Sequence, residues 1–402
     1  MKQRLIPQRR LSAALAILVS TQAALSLVVA DSSAHPADTP RFLLSTFRNA
    51  DQTKLYIAES YDGRYYEPRG GEHVHEVSGS DRIRDPSLTR YNGRWYVCHT
   101  AGVFGNVDYF RVMSSADLQT WTHEKNVSMS AISGTLYTWA PEWFIDRDGS
   151  LHVLVSVTGS PAMSYEHVLY ETHPLDPDDL SGEWSSPVRL HGGAFPEFEP
   201  SPDGVQRVGA IDAYVVIKDG TYYMVFSNRP TSSMALASSP SLIGPWTMLV
   251  DGQLWGTGVY KEGHCLIHLG GAIWRLSFAD AIASKLYYIE SRDDWATWTE
   301  PALLGSPDGL VFNHGTVIHN PEASRFAAGI VERGGAGTLT ARVPTFKQNW
   351  YQWETSATLA ADSWLPAGDP IEGDGTPLDR EFSLPADNDN LFLRARWLPF
   401  GP

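Results

Sequence analysis

The segment Tyr91-Asn92-Gly93-Arg94-Trp95-Tyr96-Val97 sets a glycine turn between two runs of aromatic and aliphatic residues. Asn-Gly accepts the positive φ angles of a tight turn, and the flanking side chains suit half-buried strands, so the segment reads as a β-hairpin. The pattern returns in Arg147-Asp148-Gly149-Ser150-Leu151-His152-Val153, in Lys218-Asp219-Gly220-Thr221-Tyr222-Tyr223-Met224 and in Leu269-Gly270-Gly271-Ala272-Ile273-Trp274.

A second signal has a similar period. Ser60-Tyr61-Asp62 precedes Tyr66, Ser115-Ala116-Asp117 precedes Trp121, Ser239-Pro240-Ser241 precedes Trp246, and Ser291-Arg292-Asp293 precedes Trp298. Trp184-Ser185-Ser186-Pro187 supplies the remaining aromatic, and the five aromatics stand 55, 63, 62 and 52 residues apart. Units of that length hold four short strands with their loops, the size of a propeller blade. A β-sandwich with coincidental spacing would account for single turns but not for two signals in step. The expectation is an all-β chain, a five-bladed β-propeller with a small C-terminal β appendage.

The chain has 402 residues, 43% hydrophobic and 19% charged, with 34 Gly and 26 Pro. This is the composition of a folded chain rich in turns. Residues 1–30 carry Lys2, Arg4, Arg9 and Arg10 and no acid, followed by an apolar run from Leu11 to Ala30. Val28-Val29-Ala30 offers small residues for cleavage, so 1–30 reads as a signal peptide, with an uncleaved anchor as the alternative. Arg9-Arg10 is a weak sign of the twin-arginine route. The mature protein is then expected to be secreted or periplasmic, with no membrane attachment and an open oligomeric state. Losing four positive charges takes the net charge from −15 to −19. That argues against nucleic acid as a partner, because binding it rests on neutralising phosphates. Acidic polymers are disfavoured for the same reason, although a local basic pocket would overrule the global sign. Cys98 and Cys265 are the only cysteines, too few for a zinc cage; they form one bridge or stay free.

Counting back eight residues from Gly93, Gly220 and Gly270 reaches Asp85, Asp212 and Glu262, and counting back seven from Gly149 reaches Glu142. Each heads the innermost strand of its blade, so all point toward one axis. The fifth unit presents His314, ahead of a strand expected near 326–331. Like charges in one pocket push their pKa values apart. Hydrolysis of a glycosidic bond needs that separation: one carboxyl keeps its proton for the leaving oxygen, and another stays ionised for the water.

Arg84-Asp85-Pro86-Ser87, Trp139-Ala140-Pro141-Glu142, Ile211-Asp212-Ala213, Glu262-Gly263 and His314-Gly315-Thr316 resemble, in order, the motifs of glycoside hydrolase family 43. The resemblance covers roughly residues 41–333. It implies a five-bladed propeller that inverts the anomeric centre, commonly of arabinofuranosides or xylosides. It also implies that the strands around 42–46 and 55–58 join the strand after His314 in one composite blade, leaving no open edge. Carried over by position, Asp85 matches the general base, Asp212 the acid that orients the donor and tunes its pKa, and Glu262 the general acid. His314 matches the axial histidine, beside a central calcium or an ordered water in many members. One imidazole is not a calcium site, since calcium takes mostly oxygen ligands. No cofactor is therefore required, and structural calcium on the axis, reached from His314 through water, stays an option. Trp139 is a candidate sugar platform; Arg84, Glu142 and His264 are further candidates for substrate contact. His264 stands where the family carries proline, so the loop after Glu262 loses a fixed φ.

The implied activity is an inverting glycosidase, α-L-arabinofuranosidase first, with β-xylosidase or endo-arabinanase as alternatives of the same fold. A non-catalytic carbohydrate-binding propeller would not need three converging acids. A phosphorylase would need a basic cluster, for which Arg84 alone is insufficient. The domain boundaries read 1–30 for the signal, 31–345 for the propeller and 346–402 for the appendage. In that tail Trp350, Tyr351, Trp353 and Trp397 form either a glycan platform or part of a stabilising strand set.

Overall fold

A computed structural model describes residues 40–398 apart from 104–105, 159–166, 196–208, 229–232, 271, 308–309, 322, 324–325, 328–329, 334–337, 344–349, 357–363, 373–377 and 384–391. Residues 1–30, expected to be a signal peptide, lie outside the described residues. The chain divides into a compact unit Phe42–Asn320 and a second unit made of Pro321–Pro402 with Arg41.

The first unit is the propeller. Its strands are β1 (Phe42–Arg48), β2 (Asp51–Ser60), β3 (Glu67–Pro68), β4 (His75–Glu76), β5 (Arg84–Tyr91), β6 (Arg94–Thr100), β7 (Tyr109–Ser115) and β8 (Thr122–Ser128). These are followed by β9 (Tyr137–Ile145), β10 (Leu151–Thr158), β11 (Val168–Thr172), β12 (Val188–Arg189), β13 (Ala210–Lys218), β14 (Thr221–Asn228), β15 (Ser233–Ser239) and β16 (Thr247–Val250). The ring ends with β17 (Lys261–Gly270), β18 (Ile273–Asp280), β19 (Lys285–Ser291), β20 (Ala302–Leu303) and β21 (Gly315–His319). Four blades are consecutive four-stranded meanders, β5–β8, β9–β12, β13–β16 and β17–β20. The fifth is composite, ordered β21-β1-β2-β3, with β4 also on β2. Phe42 pairs with His319 and Thr46 with Gly315, so the two ends of the ring are stitched by one ladder. The composite closure is as expected, and it leaves no open edge between first and last blades.

Each blade buries one face on its neighbour. Leu43 and Ile57 pack with Leu88 and Trp95; Cys98 and Phe110 with Trp143 and Val153; Leu154 and Leu169 with Met224 and Phe226; Val225 and Leu236 with Leu276 and Phe278. Burying one such side chain is worth about 1.5–3 kcal/mol, so the hydrophobic term is spread between the blades. At the closing seam the contact is polar as well: buried Arg275 donates to Glu290 Oε1 from Nε at 3.0 Å and Nη2 at 2.6 Å, and to the Gly63 carbonyl. Both cysteines are buried and free; Cys98 donates to the Pro141 carbonyl at 3.2 Å and Cys265 to that of Val317 at 3.0 Å.

The Ser-x-Asp repeat is a turn device. Ser60, Ser115 and Ser291 end the third strands of their blades and donate to Asp62, Asp117 and Asp293 at 2.9–3.1 Å. Asp117 in turn accepts the amides of Gln119 and Thr120 at 2.8 Å.

The second unit corrects two boundaries. The strands Phe326–Ala327 and Ile330–Arg333 were expected in the fifth blade. They instead pair within this unit, Phe326 with Arg396 and Ile330 with Arg342. The ring therefore ends at Asn320 rather than 345, and the appendage is larger than residues 346–402. Its sheets enclose a core of Ala341, Trp353, Phe382, Leu393 and Ala395. Tyr351 and Trp353 are fully buried, so neither serves as a glycan platform; the side chains of Trp350 and Trp397 lie outside the described residues.

Candidate active site

The first strand of each consecutive blade carries the same irregularity. Register slips between Arg84 and Ser87, Trp139 and Glu142, Ile211 and Tyr214, and Glu262 and Cys265, each time setting two residues opposite one. The first residue of each bulge is left-handed: Asp85 at φ 49°, Ala140 at 45°, Asp212 at 57° and Gly263 at 58°. Bulges of this kind kink a strand and re-aim its side chains. Asp85, Ala140 and Asp212 occupy a region that glycine enters freely and other residues at a cost of about 1–3 kcal/mol, and strain of that sort collects at functional sites.

The alignment of bulges corrects the count from the turns. Asp85 and Asp212 are equivalent, but Glu262 stands one residue earlier, in the register of Arg84, Trp139 and Ile211. Its apparent offset arose because β17 has a second register shift between His268 and Gly270. Glu142 stands two residues past its own bulge residue, one layer deeper.

Arg84, Asp85, Thr100, Trp139, Ile211, Asp212, Glu262 and His314 line one cavity of about 270 Å³. His314 Nδ1 lies 3.0 Å from Asp85 Oδ1 and 3.9 Å from Asp212 Oδ2. Thr100 donates to Asp85 Oδ2 at 2.9 Å and accepts the amide of the left-handed Ala140 at 2.7 Å. The Gly263 amide donates to Asp212 Oδ2 at 2.9 Å, and Ser227 donates to the same oxygen at 3.4 Å. Thr100 and Ser227 hold the same register, opposite Arg84 and Ile211, so each aspartate takes a hydroxyl from the next strand of its own blade. The Trp139 indole lines the cavity with the His167 ring stacked on it, centroids 4.1 Å apart.

This geometry drives the carboxyl groups apart electrostatically. Burial pushes Asp85 up, but the His314 and Arg84 charges with the His314 and Thr100 hydrogen bonds outweigh it and hold Asp85 well below the usual carboxylate range. Burial and then the Asp212 charge push Glu262 up to about 7, against the pull of His314. Burial opposes charge on His314, yet Asp212 and Asp85 raise it to about 10, so its ring is a cation at neutral pH. At that pH the cavity holds an ionised acceptor at Asp85, while Glu262 keeps its proton in about half of the molecules.

Of the residues expected at the site, Arg84, Asp85, Trp139, Asp212, Glu262 and His314 come together. Glu142 and His264 do not line the cavity. Glu142 lies in the next layer, where it lines a separate cavity of about 410 Å³ with Thr89, Tyr214 and Thr316; Ser87 donates to it at 2.8 Å and Thr316 at 2.8 and 3.0 Å, and burial raises it to about 7. His264 is 3% exposed. Burial and then the His314 charge push it down to about 3, so it is neutral packing between the strands. Thr100 went unread in the sequence, and Ile211 was quoted in its motif without a role at the site. Thr100 ends a second strand, fifteen residues past Asp85, and the similar spacing of Asp212 and Ser227 was the signal available.

The residues around His314 do not fit an axial calcium. Glu142 with two hydroxyl neighbours falls short of the about six to eight oxygens that calcium takes.

A family model, glycosyl hydrolases family 43, matches residues 77–292, over half of the chain, and spans Asp85, Trp139, Asp212 and Glu262. Among curated proteins no sequence matches significantly. Similar solved structures include a family 43 arabinoxylan arabinofuranohydrolase from Bacillus subtilis in complex with cellotetraose, at 15% identity and TM-score 0.44 over 89% of this chain and 88% of that one. An endo-1,4-β-xylanase from Bacteroides thetaiotaomicron VPI-5482 has 15% identity and TM-score 0.47, over 68% and 92% of the two chains. An exo-β-1,3-galactanase from Clostridium thermocellum has 13% identity and TM-score 0.44, over 86% and 68%. With five blades in place and the family's motifs converging in one cavity, the chain belongs to glycosyl hydrolase family 43 and is a glycoside hydrolase.

Proposed function

We propose that this protein is a secreted, exo-acting, inverting glycosidase that releases single sugars from neutral polysaccharide or oligosaccharide, an α-L-arabinofuranosidase first of all. The observation that carries the reading is the pairing, in one cavity, of a carboxyl held below its usual range with one raised to about 7. Asp85 takes a proton from a water whose oxygen attacks the anomeric carbon. Glu262 gives its proton to the glycosidic oxygen as that bond breaks, and the product leaves with inverted configuration. Asp212 positions the donor by accepting the amide next to it and raises its pKa by its own charge. His314 keeps Asp85 ionised, and Trp139 offers an apolar wall to the sugar ring.

A volume near 270 Å³ is at the small end of ligand pockets, which run about 300–1,000 Å³, and suits one sugar residue better than a chain. The arabinofuranoside preference rests on the family resemblance, with β-xyloside next. The export reading rests on residues 1–30. The test is hydrolysis by residues 31–402 of aryl α-L-arabinofuranoside, β-D-xyloside, β-D-galactofuranoside and β-D-galactoside, beside Asp85→Asn. Turnover of the arabinofuranoside, abolished in the variant and giving the inverted anomer first by NMR, supports the reading. Turnover of another member alone moves the sugar assignment; silence across the panel rejects exo-action on these sugars.

A further inference from the structure

The second blade carries a cluster that the glycosidase chemistry does not use. His152 on β10 and Glu171 and His173 at the end of β11 lie on one face of an antiparallel pair, Val153 facing Thr172 and Leu154 facing Glu171. His152 Nδ1 is 2.7 Å and His173 Nδ1 2.8 Å from the same oxygen, Glu171 Oε1. The two rings meet edge to face with centroids 5.3 Å apart. The Glu171 side chain is 3% exposed and that of His152 16%, whereas His173 at 38% opens the cluster to solvent.

The hydrogen bonds around this cluster fix what the rings present to it. Ser150 Oγ lies 2.6 Å from Asp148 Oδ1 and 2.7 Å from His152 Nε2. The carboxylate can only accept, so the single hydroxyl proton goes to Asp148, and Ser150 accepts from His152 Nε2–H. A neutral His152 then turns its Nδ1 lone pair toward Glu171 Oε1. Lone pairs facing each other at 2.7 Å need positive charge between them, either a proton on Nδ1, which makes an ion pair, or a metal ion. A second ring aims Nδ1 at the same oxygen, with Ser185 Oγ 3.3 Å from it. One divalent ion satisfies all three donors at once. A histidine whose far nitrogen is held by a hydrogen bond is the arrangement found behind metal ligands.

We infer that His152 Nδ1, His173 Nδ1 and Glu171 Oε1 form a divalent transition-metal site, suited to zinc, that clips β10 to β11 in the second blade. Two imidazoles and one carboxylate match zinc, with water completing a tetrahedron from the exposed His173 side. Donor atoms now 2.7–2.8 Å apart would spread to about 3.4 Å, a shift of roughly 0.6–0.7 Å, to surround an ion tetrahedrally at about 2.0–2.2 Å. The site stands apart from the active cavity, whose lining shares none of its residues, so its effect falls on the stability of the blade.

The experiment titrates zinc chloride into chelator-stripped, untagged residues 31–402 by calorimetry, with thermal unfolding and the visible spectrum of the cobalt(II) form in parallel. Expected is one ion per chain, a melting temperature raised by about 5 °C at hundredfold saturation, and a tetrahedral cobalt spectrum. His173→Ala should weaken zinc at least about 100-fold and remove the thermal shift, and Ser150→Ala should weaken it about 10-fold. Glu171→Gln, which keeps the buried volume, guards against a misfolded His173 variant and should lose the ion as well. The Asp85→Asn/Glu262→Gln double variant should bind zinc as the wild type does. Absence of micromolar binding, binding unchanged in His173→Ala and Glu171→Gln, or binding lost in the active-site double variant would overturn the assignment.

Discussion

His314 Nδ1 stands 3.0 Å from Asp85 Oδ1, a buried cation set directly against the carboxylate proposed to activate water. The imidazole is 3.9 Å from Asp212 as well, so one positive charge serves two negative ones in a space largely shielded from bulk solvent. Without that charge two ionised aspartates beside Glu262 would repel at short range and one would take up a proton. The axial histidine thus acts electrostatically, as the counter-ion that lets a water-activating base persist inside the ring.

His314→Gln keeps the volume and removes the charge. His314 lowers both Asp85 and Glu262, so its loss raises both pKa values. The ascending and descending limbs of the kcat/KM profile should both move to higher pH, with the maximum reduced at least about 10-fold. A lower maximum with both limbs in place would make His314 a packing residue.

Thr100→Val removes the hydroxyl shared by Asp85 and the Ala140 amide. The amide is left without its acceptor, costing about 1–3 kcal/mol of stability, which thermal unfolding reads. Asp85 loses a donor that lowered it, so the ascending limb should shift to higher pH and kcat/KM fall about 10-fold, while the descending limb stays. An unmoved ascending limb would separate Thr100 from the base.

Glu142→Gln tests the division between layers. The wild-type carboxyl is raised from 4.5 to about 7 in the folded state, so the native protein holds a proton that the unfolded chain has released across that window. Stability from this group is present below pH 4.5 and is lost as pH rises toward 7. The variant should lack that loss, gaining on the wild type by about 3 kcal/mol at pH 8 relative to pH 4.5 in denaturant titrations. Activity should stay within about threefold of wild type. A thousandfold loss with the fold intact would return Glu142 to the catalytic set.

The blade count was legible because two independent signals kept step: the glycine hairpins, and the Ser-x-Asp turns with their aromatics. Those turns recur for a local reason, the serine and aspartate closing the chain after the third strand in three of the five blades. Asp85 and Asp212 were found by register, since both bulges lie eight residues before a regular hairpin. Glu262 was found by a count that happened to absorb a second bulge, and Glu142 was drawn toward the site because the turn between Ile145 and Leu151 holds five residues where the first and third blades have two. Bulges carry no fixed sequence mark outside glycine; Pro86, Pro141, Ala213 and His264 all serve as the second bulge residue. Strand ownership near 326–333 failed for another reason: a short apolar run fits any ladder, and only long-range pairing with 339–342 and 395–396 settles which sheet takes it.

The central claim is that Glu262 carries the proton and Asp85 the water, and the pH dependence of kcat/KM in Glu262→Gln tests it most directly. Measured on one aryl glycoside with a poor leaving group, the wild type should lose tenfold per pH unit above about 7, as Glu262 gives up its proton. The variant should be slower by at least about 100-fold and flat through that range, with its ascending limb retained. A variant that keeps both its rate and the descending limb would contradict the assignment of the proton donor to Glu262.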